Sequence, residues 1–136
     1  MRLSLVLLAI AVVVAAVAGI RGLASGNGAP VTREITIHYS RFEQAALTVP
    51  RGVPVTFVLV NRDPIEHEWL IGDEAFHERH RDGTEPHHGA RPVEVSIPPL
   101  GQVETTITFE QPGTYAYICH LPGHEAYGMV GTLTVT

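Results

Sequence analysis

The sequence predicts an all-β fold, an antiparallel β-sandwich of seven or eight short strands. Three observations carry that expectation. From Val31 to Thr136, apolar and polar side chains alternate in short runs rich in β-branched and aromatic residues. Turns bearing Pro and Gly separate the runs. No stretch of this region holds a convincing helical period. Residues 31–136 suffice for one compact core and are too few for two.

The runs follow in order. Ile35, Ile37 and Tyr39 alternate with Glu34, Thr36 and His38. Residues 47–49 make a short strand stopped by Pro50-Arg51-Gly52, and residues 53–61 make a long β-branched one around Phe57. Residues 67–71, 93–97, 103–109, 115–119 and 130–135 complete the set. The interruption is residues 72–92, a His-rich insertion too polar and too broken by Gly and Pro for a core strand. A short helical turn over 73–80 fits there.

Residues 1–24 do not read as part of the core. Residues 3–20 are uncharged and almost wholly apolar, follow a positive start at Arg2, and give way to small residues. This is the layout of a secretory signal cut at Ala16-Val17-Ala18 or near Ala24. It also suits an uncleaved anchor, since eighteen helical residues reach about 27 Å. Both readings export the domain, with residues 25–30 as a spacer. The expected place is the periplasm or the outer face of the cytoplasmic membrane, touching lipid only through the leader.

Charge and cysteine count exclude whole classes. The chain has nine Arg, no Lys and fourteen Asp and Glu. Without Arg2 and Arg21, seven basic side chains face fourteen acidic ones, a net charge of −7 with His neutral. That balance argues against nucleic acid as a partner. One cysteine, Cys119, excludes an internal disulfide, a paired redox motif and a four-cysteine zinc site. In an exported chain a lone thiol is open to oxidation, so it is either buried and inert or held by a metal.

The last third of the chain holds the chemistry. Cys119 closes a predicted strand, His124 follows five residues later, and Met129 five after that. Pro122, Gly123 and Gly128 supply sharp bends, so thiolate, imidazole and thioether can converge at one end of the sandwich. A second imidazole must come from elsewhere. His67 suits, because it opens a strand after the turn Asn61-Arg62-Asp63-Pro64, and His38 is the substitute. Each has a plainer alternative to weigh against ligation: core packing for Met129, an ordinary strand-end histidine for His67 and a surface loop residue for His124. Two His and one Cys in a plane with a weak axial Met are the donors of a type 1 (blue) copper. Soft sulfur favours Cu(I), imidazole suits both oxidation states, and a rigid mixed set changes little between them. Small rearrangement favours one-electron transfer.

At these residues the chain resembles the cupredoxins, the small blue-copper proteins that include plastocyanin, azurin and auracyanin. The likeness covers about residues 31–136 and is strongest in two blocks. One runs from Leu47-Thr48-Val49-Pro50-Arg51-Gly52 through Phe57 to Asn61 and His67. The other runs from Pro112-Gly113-Thr114-Tyr115 through Cys119, His124 and Met129 to Gly131. The step from Cys119 to His124 is similar to that of azurin, and the step from His124 to Met129 to that of plastocyanin. The resemblance implies a Greek-key β-sandwich, one type 1 copper per chain, and the ligands His67, Cys119, His124 and Met129. It implies a carrier of single electrons between a redox donor and acceptor, and no enzyme. The acidic surface would suit partners with a basic docking face. Leu121, Pro122, Ala126 and Tyr127 would form a small apolar exit patch around His124.

Two features depart from a simple carrier. His120 follows Cys119 directly, and neighbours in a strand point to opposite faces, so both do not serve one copper. Adjacent Cys and His also resemble multicopper oxidases and nitrite reductases, where the neighbouring His binds a second, catalytic copper. Such sites need His-x-His pairs that this chain lacks, so the expectation is a solvated His120. The second feature is the insertion. His77 and His80 share one face of a helical turn, and His87 and His88 follow Pro86. The four could form a weak second metal site, which would favour copper buffering, delivery or resistance over electron transfer. The plainer reading is a polar, flexible insertion.

Overall fold

The computed structural model describes residues 28–82 and 91–136, so the leader, His87 and His88 lie outside the described residues. Within them the order is β1 (Val31–Ile37), β2 (Ala46–Val49), β3 (Pro54–Asn61), β4 (His67–Gly72), α1 (Glu74–Arg81), β5 (Glu94–Ile97), β6 (Gln102–Thr108), β7 (Gly113–Ile118) and β8 (Val130–Val135). The eight strands make two sheets, one ordered β1-β3-β6 and the other β2-β8-β7-β4-β5. The β1–β3 and β2–β8 pairs run parallel and the other pairs antiparallel, so both sheets of the sandwich are mixed.

Alternation sets what each strand buries. In β3, Val55, Phe57, Leu59 and Asn61 are buried and the residues between them half-buried. Ile35 and Ile37 join them from β1, and Trp69, Ile71, Tyr117, Leu133 and Val135 come from the facing sheet. The rings of Phe57 and Trp69 meet across the sandwich with centroids 4.9 Å apart. Burying each such side chain stabilises the fold by about 1.5–3 kcal/mol. Gly131 allows close packing inside the second sheet, because a Cβ there would run into the Tyr117 ring.

β4 differs from β3, for five of its six residues are buried. Its register with β7 pairs Leu70 with Ile118, Ile71 with Tyr117 and Gly72 with Ala116. Trp69, Ile71, Tyr117 and Cys119 therefore share the core face. Leu70 and Ile118 are buried as well but stand outside the core cluster, on the side that α1 covers. The helix begins where Asp73 accepts a hydrogen bond from the Phe76 N–H at 2.8 Å, a side-chain N-cap. It approaches β4 over Gly72, where a Cβ would collide with Phe76. Its far end is tied down by Arg81, which bonds Glu74 within the helix and donates from Nε and Nη2 to Glu125 at 3.0 and 2.7 Å. The helical turn expected over 73–80 is thus a docked helix of eight residues.

Candidate metal centre

The antiparallel pairing of β4 with β7 brings His67 and Cys119 to the same end of the sandwich. Both side chains are fully buried. Beyond Cys119 the chain closes a loop on itself. The Cys119 N–H donates to the Met129 carbonyl at 3.2 Å, and the Met129 N–H donates to the His124 carbonyl at 3.0 Å. Inside the loop His124, Tyr127 and Gly128 donate to Leu121, Gly123 and Glu125 at 3.0, 3.0 and 2.9 Å. Gly123 and Gly128 take φ of 85° and 89°, which favours glycine. These bonds turn His124 back toward Cys119, and the Met129 side chain that follows them is fully buried.

The donor atoms face one another. His124 Nδ1 lies 3.2 Å from His67 Nδ1 and 3.3 Å from Cys119 Sγ. One donor atom from each of these three residues falls within 4.8 Å of the others. That spacing surrounds a point reached by metal–nitrogen bonds of about 2.0–2.1 Å and metal–sulfur bonds of about 2.3 Å. The thiolate needs a cation here. Burial pushes the Cys119 thiol up to about 11, against the opposing pull of the Glu68 and Leu121 N–H groups. Burial and the neighbouring His67 hold His124 below its ordinary value, as the neutral imidazole that ligates metals. The donors fit a type 1 copper held by His67, Cys119, His124 and Met129. His38, the substitute, stays apart: it stacks on Tyr39 and faces Glu43 at 3.8 Å.

The orientation of His67 depends on a residue to which sequence reasoning assigned no role. His67 Nε2 donates to Asp63 Oδ2 at 2.8 Å, which leaves Nδ1 as the ligating nitrogen. Asp63 also accepts the N–H groups of Tyr39 and Ser40, each at 2.7 Å, and these two residues hold the left-handed φ values of 53° and 51°. Burial would raise the Asp63 carboxyl, but these bonds outweigh it and keep it below the usual carboxylate range. Asn61 pins the same turn. It accepts the Asp63 N–H at 2.9 Å and donates to the carbonyls of Ile65 and Pro98. The signal was present as an acidic residue four places before a candidate ligand.

The expectation of a solvated His120 is corrected. Its side chain is only 6 % exposed. Strand alternation turns it away from Cys119 and under α1, where its Nε2 lies 2.9 Å from Nδ1 of the fully buried His77. The His80 ring stacks beside it with centroids 5.7 Å apart. Of the four insertion histidines, His77 and His80 thus meet each other and His120, while His87 and His88 lie outside the described residues. On the ligand loop Pro122, Ala126 and Tyr127 are exposed and Leu121 is half-buried.

Comparison with known proteins agrees with this geometry. The family of copper-binding proteins described as plastocyanin/azurin matches residues 30–136. The copper-resistant cuproprotein CopI of Rubrivivax gelatinosus is 33% identical over 117 residues, which cover 81% of this chain and 70% of that protein. Auracyanin-B of Chloroflexus aurantiacus is 32% identical over 110 residues, 70% of this chain and 47% of that one. The solved structure of dithionite-reduced auracyanin from Roseiflexus castenholzii superposes with a TM-score of 0.66 at 25% identity, covering 82% of this chain and 99% of that one. With its fold, its four donors and nearly all of residues 31–136 accounted for, the chain belongs to the plastocyanin/azurin family of copper-binding proteins, the cupredoxins.

Proposed function

We propose that this chain is an exported carrier of single electrons and not an enzyme. The observation that carries the reading is the enclosure of the donors. His67, Cys119 and Met129 are fully buried, and only His124 reaches toward the surface, within a loop whose exposed side chains are partly apolar. Copper bound there supplies a Cu(I)/Cu(II) couple. The chain's own part is to hold two imidazoles, a thiolate and a thioether in a geometry that either state accepts. Backbone bonds closing the loop and the Asp63 clamp on His67 supply that rigidity, and four inward donors leave little room for a substrate. Leu121, Pro122, Ala126 and Tyr127 offer the small, low-polarity contact of a brief redox encounter. The domain's charge of −7 would steer it to a partner with a basic face. The apolar leader supports export.

A second reading, extracytoplasmic copper handling, is favoured by the CopI likeness. One experiment separates the two. The copper-loaded full chain is reduced and reoxidised through several cycles, with bound copper assayed after each. A carrier keeps one copper per chain throughout, whereas loss of copper on reduction would favour delivery. Met129→Leu, measured by redox titration, is expected to keep the intense colour and raise the reduction potential, because the weak axial donor stabilises Cu(II). An unchanged potential would mean that Met129 does not ligate.

A further inference from the structure

The large apolar side chains left in water are not scattered over this domain. Among the described residues Tyr39, Ile65, Leu100, Tyr127 and Val130 are exposed, and all five lie on loops or strand ends at the copper end. Single exposed apolar residues need no explanation, but their concentration at one end marks a contact surface. Two of them are held there against their backbone preference. Tyr39 is 81 % exposed with a φ of 53°, and Leu100 is 70 % exposed with a φ of 54°. The left-handed region disfavours residues with a side chain, so a specific partner must hold both. That partner is Asp63. Its Oδ1 accepts the Tyr39 N–H at 2.7 Å, and its carbonyl accepts the Leu100 N–H at 2.9 Å. The residue that orients His67 thus also sets out the apolar side chains beside it.

The charge around this patch differs from that of the domain. Arg41 and Arg62 are exposed, and among the described residues neither guanidinium has an ion-pair partner. Both lie against the Tyr39 turn: the Arg41 N–H donates to the His38 carbonyl at 3.2 Å, and the Arg62 N–H to the Ile37 carbonyl at 2.9 Å. The Arg41 guanidinium reaches the ligand loop, 3.0 Å from where a Cβ on Gly128 would stand. Of the nearby acidic side chains, Asp63 is buried against His67 and Glu43 faces His38 at 3.8 Å. That leaves Glu66 as the open carboxylate beside two open cations. At physiological salt, charges more than about 8 Å away are largely screened, so a partner in contact meets the arginines and not the remote carboxylates.

We propose that Tyr39, Ile65 and Leu100, flanked by Arg41 and Arg62, dock a redox protein that presents carboxylates around an apolar centre. The inference rests on the carrier reading, since a carrier has two partners: the acidic whole suits one, and this face suits the other. A guanidinium binds a carboxylate through two parallel hydrogen bonds, and Tyr and Arg concentrate binding energy in interfaces. A membrane suits the face less, because an anionic bilayer would also meet the domain's charge of −7.

The copper-loaded full chain is reduced, isotope-labelled for amide nuclear magnetic resonance, and titrated with hexacyanochromate(III), a redox-inert paramagnetic anion. The amide signals of Tyr39, Arg41 and Arg62 should broaden first. Broadening that begins around Arg33, Arg51, Arg79 or Arg91 overturns the proposal. In stopped flow, reduction of the Cu(II) form by ferrocyanide should slow as salt rises, whereas a charge of −7 acting as a whole would make it quicken. Arg41→Gln and Arg62→Gln should each slow this reaction by about twofold to fivefold. The cationic reductant tris(phenanthroline)cobalt(II) should not be slowed, which separates docking from a changed reduction potential. A reduced acidic c-type cytochrome serves as the protein probe. Tyr39→Ser and Leu100→Ser should each slow its reaction at least about fivefold with the thiolate absorption intact. Rates that these variants leave unchanged, or a parent rate with ferrocyanide that rises with salt, overturn the proposal. So do phosphatidylglycerol vesicles that broaden the same signals, which would make the face a lipid site. A copper that no reagent reduces defeats the carrier reading, and the hexacyanochromate map still decides where anions dock.

Discussion

On the core side of the second sheet, His67, Cys119 and His124 bring donor atoms within 4.8 Å of one another; on its outer side, the rings of His77 and His80 pack against His120. Cys119 and His120 are adjacent in the chain, so the alternation of one strand end divides the two clusters. Both use the same device. A far ring nitrogen is tied to a fixed acceptor, Asp63 for His67 and the Ala116 carbonyl for His77, and the near nitrogen is thereby aimed. What differs is the support. The inner cluster is clamped by two paired strands and a loop closed by its own backbone bonds. The outer one depends on an eight-residue helix seated over Gly72 and held by Arg81. The difference teaches that the inner centre is built without a contribution from the helix, while the packing of the outer histidines is made by it.

That contrast breaks most visibly at the adjacent pair. Cys119→Ser is expected to abolish the intense absorption of the copper-loaded chain, whereas His120→Ala keeps it; loss in both would mean the two sides act as one centre. Next in size is Asp63→Ala. It removes the clamp on His67 and should weaken copper binding by about 10–100-fold, measured by competition with a chelator. The metal-free chain should also lose about 2–3 kcal/mol, since two backbone N–H groups lose a charged acceptor. An unchanged urea midpoint would show that Tyr39 and Ser40 find other partners. Gly131→Ala forces the Tyr117 ring to move and should cost about 1–3 kcal/mol by the same denaturation. The smallest effect is expected at Arg81→Gln. Both partners of its pair with Glu125 are about one-third exposed, so stability should fall by at most about 1 kcal/mol. Its value lies in where the change appears: the thiolate band should stay fixed while the outer histidines respond.

How much of this was legible in the sequence follows from the range of the interactions involved. The strands were legible because period-two alternation is local, and β3 shows it residue by residue. Cys119, His124 and Met129 were legible because they lie within eleven residues, in a loop punctuated by Gly123 and Gly128. His67 could be placed from the turn before it, but for Asp63 the sequence offered only its spacing of four from His67, and not what anchors it. That anchor is the Tyr39 and Ser40 amides, more than twenty residues away. The outer cluster was least legible. Nothing in so polar a segment as Glu74–Arg81 says that it docks, and only the β4–β7 register shows that Leu70, Ile118 and His120 present a face for it.

The ligand loop has a consequence for how this centre can change over evolutionary time. Its two ends are joined by the Cys119–Met129 backbone bond, directly above the β7–β8 pairing of Ile118 with Val130. An insertion or deletion between Pro122 and Tyr127 would therefore be absorbed locally, without altering strand register anywhere in the sandwich. Such changes are cheap, since each doubling of a flexible loop costs only about 0.6 kcal/mol in closure entropy. The interior can be inherited nearly intact while the spacing of the donors, and with it the electronic character of the metal, drifts in a single exchangeable segment.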